Sequence, residues 1–339
     1  MCKLNETRLS RRSPLGAVRR EMNGRFQLSY DPSKGRHLPR REAPRLTMTL
    51  VTVKSDYLKL AQLFSADMFR GLSVASGPGE VRSIVDLAGV SGLGRRMRLR
   101  TLFDRAWDHL LESYRCEYVY KNTITNELLL KKHGIGADPD SARLLTEFWV
   151  DDVRADIAVI NGTSTVYEIK TDYDSVNRLR SQLSGYSKLF DKIYVVTSPK
   201  MQRGIAGTLP AHVGLLVLDT DGQLTEARRA RSNKANIHTQ VVFRSMRELE
   251  VLEVCRRRSG LPLDMANGLR TQACWDIFKN LSPLEAHQEM VLALRSRDIH
   301  SAQRRLVEKA PDSLKHLCLG KTMNIRQYRA ILPQLEVAV

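Results

Sequence analysis

The run RADIAVINGTSTVYEIKT, Arg154–Thr171, decides how this chain is read. It holds two segments rich in β-branched residues, Arg154–Ile160 and Ser164–Thr171, separated by Asn161-Gly162. Asn-Gly between two such segments is the strongest short-range hairpin signal, because both residues tolerate the positive φ of a tight turn. In a strand, side chains two apart share a face, so Glu168 and Lys170 emerge together while Ile169 faces the other way. A charged pair on a strand otherwise made of Val, Tyr and Ile is costly if that face is only core. Closing the hairpin puts Asp156 opposite residue 167, 168 or 169, according to loop length. The Asp156 and Glu168 carboxylates then approach each other with an ammonium beside them.

Outward from the hairpin the period of the apolar pattern alternates. Glu147–Val150 is a strand candidate before it, and Ser175–Phe190 returns to helical spacing after it, with Val176, Leu179, Leu183, Tyr186 and Phe190 on one side. Lys192–Thr197 and Val213–Asp219 read as buried strands, joined by a helical piece near Lys200–Gly207. Upstream, Arg100–Lys121 is a long amphipathic pattern through Leu102, Phe103, Trp107, Leu110, Tyr114 and Tyr118, and His133–Ser141 is a loop. The order predicts an α/β fold with a central mixed β-sheet flanked by helices. Residues 1–47 read as a basic disordered tail, with Met48 a candidate start, and 48–112 as a helical N-terminal region broken near Ser76–Gly79. The core spans 113–225, 226–246 reads as a basic linker, and 247–339 as a helical C-terminal region including Met246–Arg258, Pro283–Arg295 and Ala302–Ala310.

Charge points to a class of partner. The 339 residues carry 54 Lys and Arg against 37 Asp and Glu, a net +17. Residues 1–50 account for +8 of this, so the body is basic as well as the tail. A polyanion suits such a surface, because each phosphate neutralised releases condensed counterions. The five cysteines, Cys2, Cys116, Cys255, Cys274 and Cys318, form no C-x-x-C pair, which predicts neither a zinc cluster nor a disulfide framework and fits a reducing, cytoplasmic compartment. No run approaches the roughly 18 apolar residues of a membrane helix. Leu319-Gly320-Lys321-Thr322 ends like a phosphate-binding loop but lacks the earlier glycine, since Lys315 stands there.

Two acids held together repel unless they share a cation, and carboxylate oxygens with several waters are what Mg²⁺ prefers. Asp156, a short hairpin, then Glu168-x-Lys170 resembles the D…(D/E)-x-K motif of the PD-(D/E)XK nuclease superfamily. The order of helix, three strands, helix and strand is similar to that superfamily's restriction-endonuclease-like core. Gln182 and Tyr186 resemble the Q-x-x-x-Y element of its RecB-like branch, and Glu117 the first-helix acid of several branches. The wording Y-E-I-K-T-D is also similar to a set of uncharacterised bacterial and phage proteins placed in the superfamily. The likeness covers Glu117–Asp219, about a third of the chain, and departs from the pattern in having Arg154-Ala155 and no proline before Asp156.

The resemblance implies that Asp156 and Glu168 bind Mg²⁺ or Mn²⁺, with the Ile169 carbonyl as a third ligand and Glu117 at a second metal or its water. It implies that Lys170 orients or helps deprotonate the attacking water. Gln182 and Tyr186, at i and i+4 on one helical face, either brace the Lys170 strand, contact the nucleic-acid backbone or belong to the core. Arg154 either contacts phosphate or pairs with Glu147 or Asp152. Asp174 stands where the N-cap of the following helix is expected. The basic runs Arg95–Arg100 and Arg228–Lys234 either track a phosphate backbone or are solvated faces. The expected function is a metal-dependent nuclease acting on nucleic acid, foremost DNA, with a homodimer favoured if both strands are cut. The alternatives are a catalytically silent nucleic-acid binder on the same fold, or a protein whose helical C-terminus recruits a partner.

Overall fold

The computed structural model describes residues 55–133, 142–260 and 267–339. The expected tail 1–47, the start at Met48 and nearly all of the 133–141 loop lie outside them. Six strands, β1 (Arg143–Val150), β2 (Val153–Ile160), β3 (Ser164–Lys170), β4 (Lys192–Thr197), β5 (Gly214–Leu218) and β6 (Leu224–Arg228), lie side by side in chain order. β1–β2, β2–β3 and β5–β6 are antiparallel, whereas β3–β4 and β4–β5 are parallel. A parallel link needs a crossover, and the chain uses helices for both. The helices before the sheet include α1 (Ala66–Gly71), α2 (Gly77–Ala88), α3 (Leu99–Ser113) and α4 (Glu117–Ile124), the last running on through a π-helical turn at Thr125–Leu130. The crossovers are α5 (Leu179–Ser187) and α6 (Pro199–Ala206). After β6 come α7 (Thr239–Ser245), α8 (Glu248–Ser259), α9 (Asn267–Phe278), α10 (Pro283–Arg295), α11 (Ser301–Lys309), α12 (Lys315–Gly320) and α13 (Ile325–Leu335).

The central strand β3 is buried along its whole length, which is why its sequence is so rich in Val, Thr, Tyr and Ile. Alternation along the strands feeds two cores. Ile157, Val159, Tyr167, Ile169, Val196 and Leu216 join Leu102, Phe103 and Val119 of α3 and α4 with Leu306, Leu317 and Ile331 from the C-terminal helices. Ala158, Ile160, Val166, Val195, Leu215 and Val217 join Leu183 and Tyr186 of α5 with Val242, Val254, Phe278 and Met290. The C-terminal helices are thus divided between the two cores: α11–α13 in the first, α7–α10 in the second. Among the described residues no helix is long and apolar enough to cross a membrane.

Several local expectations are corrected. The pattern from Arg100 to Lys121 is two helices, because Tyr114 leaves helical geometry at φ −149° and ψ 79°. The break places the Tyr114 ring 4.8 Å from that of Tyr173, and lets Arg115 Nη1 donate to the Asp219 carbonyl at 3.1 Å. Glu117 therefore opens α4 and does not end a long helix. The helix expected from Ser175 begins only at Leu179, with Arg178 at its N-cap. Asp174 instead closes a turn, accepting from the Thr171 N–H at 2.8 Å and its hydroxyl at 2.7 Å. The stretch expected as a basic linker, 226–246, carries the end of β6 and all of α7. β6 escaped notice because it is an edge strand with mostly exposed side chains, so it lacks an apolar run. The Gly-Pro break near Ser76–Gly79 is the start of α2, with Pro78 in its first turn where no N–H is missed.

Candidate active site

The β2–β3 connection has three residues, Asn161, Gly162 at φ 92° and Thr163, because Ile160 pairs with Ser164. Counting back along that register, the last ladder pair is Ile157 with Tyr167, and Asp156 comes next, opposite Glu168. Here the two strands part. The Asp156 side chain replaces the lost ladder bond, its Oδ2 accepting from the Ile169 N–H at 2.8 Å. On the other side of β2, Val150 pairs with Val153 across an Asp151-Asp152 turn, with Asp151 at φ 48°. That register places Glu147 across from Asp156, between the Thr146–Ile157 and Phe148–Ala155 pairs. Glu147 itself has φ 53°, left-handed backbone inside a strand. For a residue with a Cβ this costs on the order of 1–3 kcal/mol and needs its surroundings to hold it.

Two charged groupings meet at this point. In the first, Glu168 is 1% exposed and Lys170 7%. Lys170 Nζ donates to Glu168 Oε1 at 2.5 Å, and the Tyr186 hydroxyl lies 2.7 Å from Glu168 Oε2 and 2.9 Å from the Arg154 carbonyl. Every oxygen of this buried carboxylate therefore has a donor, as a charge out of water requires. Burial, then the Glu168 charge beside it, holds the Tyr186 hydroxyl far above its ordinary pKa, so it remains a donor. Gln182, one turn earlier on α5, has its amide oxygen buried without a hydrogen-bond partner.

In the second grouping, single oxygens of Glu117, Glu147 and Asp156 lie within 4.8 Å of one another. Lys121 of α4 sends its ammonium among them, 2.6 Å from Glu117 Oε1 and in contact with Glu147 Oε1. Burial disfavours that charge, but Glu117 and Asp156 outweigh it and the Lys121 pKa is raised. Burial pushes the Glu147 carboxyl up, yet Lys121 and Arg154 overcome it and the net shift is down. Asp156 goes the opposite way. Burial first, and the Glu168 charge second, push it up to about 7, against the pull of Lys121 and the Ile169 N–H. Four carboxyl groups, these three and Glu168, thus meet the Lys121 and Lys170 ammoniums and the Arg154 guanidinium, and burial with Glu168 disfavours the charge on Asp156.

The structure thus brings together Asp156, Glu168, Ile169, Lys170, Glu117 and Tyr186. Tyr186 is both core and brace, being buried with its hydroxyl on Glu168. Arg154 pairs with Glu147, Nε to Oε2 at 2.9 Å, and its guanidinium lies 5.7 Å from the Trp149 ring centroid. Two site residues escaped the sequence reading, Glu147 and Lys121. Both had a signal: Lys121 stands four residues after Glu117 on one helix. A two-residue turn between Val150 and Val153 would have put Glu147 opposite Asp156.

Comparison with known proteins finds a similarity to a phage protein. Protein cII of Enterobacteria phage P4 is 36% identical over 63 residues, which is 19% of this chain. That stretch spans about a quarter (24%) of the relative's own length. Among solved structures, a protein of unknown function from Silicibacter pomeroyi matches at 17% identity over 44% of this chain and 99% of its own, with a TM-score of 0.29, too low to bear on fold or site. A family model described as bacteriophage P4 protein cII matches residues 111–317, more than half the chain and all of the charged groups just described. The chain belongs to the bacteriophage P4 protein cII family.

Proposed function

We propose that this chain is a metal-dependent nuclease, with Asp156, Glu168 and Lys170 as its reacting centre on a restriction-endonuclease-like core. The observation that carries the reading is the crowding of acids where β2 and β3 part. There the Asp156 carboxyl is pushed up to about 7 by burial and by Glu168, while its oxygens lie near those of Glu117 and Glu147. Such a group either takes a proton or shares a cation near neutral pH, and an all-oxygen donor set suits Mg²⁺ or Mn²⁺. Asp156 and Glu168 would hold the ion, with the Ile169 carbonyl and Glu117 as further ligands. A bound divalent cation supplies charge to polarise a phosphate and acidify a water. Lys170, fixed by Glu168, holds and orients the attacking water and steadies negative charge on phosphorus. Tyr186 keeps the Glu168 carboxylate in place, and Ile169 N–H does the same for Asp156.

A second reading has an observation in its favour. Lys121 and Lys170 already neutralise part of the acid cluster, as they would in a catalytically silent nucleic-acid binder or partner-recruiting protein on this fold. Cleavage of labelled single-stranded, duplex and branched DNA separates the two. Wild type is expected to cut with Mg²⁺ or Mn²⁺ and not with EDTA, and Asp156→Ala and Lys170→Ala to lose at least about a hundredfold in rate. No cutting by wild type in either metal, with salt-sensitive binding intact in all three proteins, would favour the silent binder.

A further inference from the structure

We propose that the groove between α11, α13 and the start of α3 is a second nucleic-acid contact, seating a phosphodiester backbone away from the reacting centre. This groove has a volume of about 850 Å³, and Arg100, Arg305, Lys309 and Arg329 line it against one acid, Glu336. The acid is already engaged, lying 3.2 Å from both Arg98 and Arg100. Arg305, Lys309 and Arg329 are exposed, and among the described residues none of the three makes an ion pair. Arg305 and Lys309 stand four apart on α11, so they present a single edge, with Arg329 facing it from α13. Arg100 Nη2 donates to the Lys309 carbonyl at 2.8 Å, which locks the end of the basic run Arg95–Arg100 onto the groove wall.

Unpaired guanidiniums held along one groove fit the oxygens of a repeating phosphate chain, each contact releasing counterions. A folded protein partner would call for an apolar centre, whereas here Ala302, Leu332 and Pro333 stand among four basic side chains and one acid, and Tyr328 turns its hydroxyl to the Lys321 carbonyl at 2.7 Å. Hydrogen bonds connect this wall to the strand that carries Glu147. Gly320, the residue before Lys321, accepts from the Thr146 hydroxyl at 3.0 Å, and Thr146 adjoins Glu147. This inference rests on the nucleic-acid reading above, but it concerns binding and not cleavage.

The test is fluorescence anisotropy of labelled duplex and single-stranded DNA and RNA with the full chain in EDTA, over a salt series. The variant Arg305→Gln/Lys309→Gln/Arg329→Gln is compared with wild type, with Asp156→Ala and with a charge-matched control, Lys132→Gln/Arg256→Gln/Lys279→Gln. The groove variant is expected to bind at least tenfold more weakly near 0.15 M salt, with a log–log salt slope shallower by about 2 to 3. Asp156→Ala should keep the wild-type slope, and the control should shift less than threefold. If wild type never cleaves but the groove variant still loses binding, catalysis fails and the groove stands. Wild-type affinity and slope in the groove variant, or loss equal to that of the control, would overturn the proposal. So would a wild type that binds no nucleic acid, or one that binds labelled oligoglutamate more tightly than DNA or RNA, which would make the groove an acidic-protein site.

Discussion

At the scale of single residues, Asp156 is the group whose environment departs most usefully from water. Its carboxyl titrates near 7 in the folded chain against an ordinary 3.8. Between those values the folded chain keeps a proton that the unfolded chain has released, so unfolding releases a proton and stability falls as pH rises from about 4 to about 7. Above that window the loss is complete. Asp156→Asn removes the charge and keeps the shape. In EDTA the variant is therefore expected to exceed wild type by about 1–3 kcal/mol at pH 8 and to match it at pH 4, read by urea denaturation. A wild type more stable than Asp156→Asn at pH 8 would show that Lys121 and the Ile169 N–H outweigh burial and Glu168. The strained backbone of Glu147 belongs to this scale too, since it is the residue across from Asp156 that carries the left-handed φ.

Among elements, α5 decides how well the reacting strand is braced. Its Gly185 lies so close to β2 that an added Cβ would sit 2.4 Å from Val153 Cγ2. No side chain fits there, and the close approach is what brings the next residue, Tyr186, within 2.7 Å of Glu168. Gly185→Ala gains roughly 1 kcal/mol of helix propensity. Overpacking against Val153 costs more, on the order of 1–3 kcal/mol plus the displaced Tyr186 bond. The expected net result is a lower denaturation midpoint, with part of the loss recovered in Gly185→Ala/Val153→Ala. A Gly185→Ala variant as stable as wild type would show that α5 can shift outward without harm. Gly320 plays a similar part at the end of α12, where a Cβ would meet Thr146 Cγ2 at 2.7 Å.

For the whole molecule the question is whether the C-terminal helices are additions or parts of the core. Leu306, Leu317 and Ile331 share one buried cluster with Leu102, Phe103 and Ile157, and Val254, Phe278 and Met290 share the other with Val166 and Val195. Buried polar groups also cross the divide. Asn122 donates to the Asp312 carbonyl at 2.8 Å and accepts from the His316 N–H at 2.9 Å, and Tyr118 donates to the Ser313 carbonyl at 2.7 Å. Removing residues 247–339 would uncover part of each face of the sheet and strand these buried groups, enough to exceed the roughly 5–15 kcal/mol by which a typical domain is stable. The chain cut after Met246 is expected to show no cooperative thermal transition by circular dichroism. A sharp, reversible melt of that fragment would show that the sheet stands without its C-terminal cover.

Some of this is legible in the sequence itself. The hairpin at Asn161-Gly162, the two buried strands read as Lys192–Thr197 and Val213–Asp219, the presence of a helix before each of them and the shared face of Glu168 and Lys170 all follow from patterns a few residues long. β-branched runs, turn pairs and 3.6-residue periods carry that information locally. Tertiary structure alone decided which distant segments meet. It put Lys121 among three acids from three elements, laid Arg100 against Lys309, and sent α11–α13 to one core and α7–α10 to the other. β6 belongs with these, since an exposed edge strand is recognised by its partner and not by its own side chains. Local propensity is settled by each residue's own neighbours. Long-range contact depends on how whole faces fit when the two cores close, and no short window of sequence contains that fit.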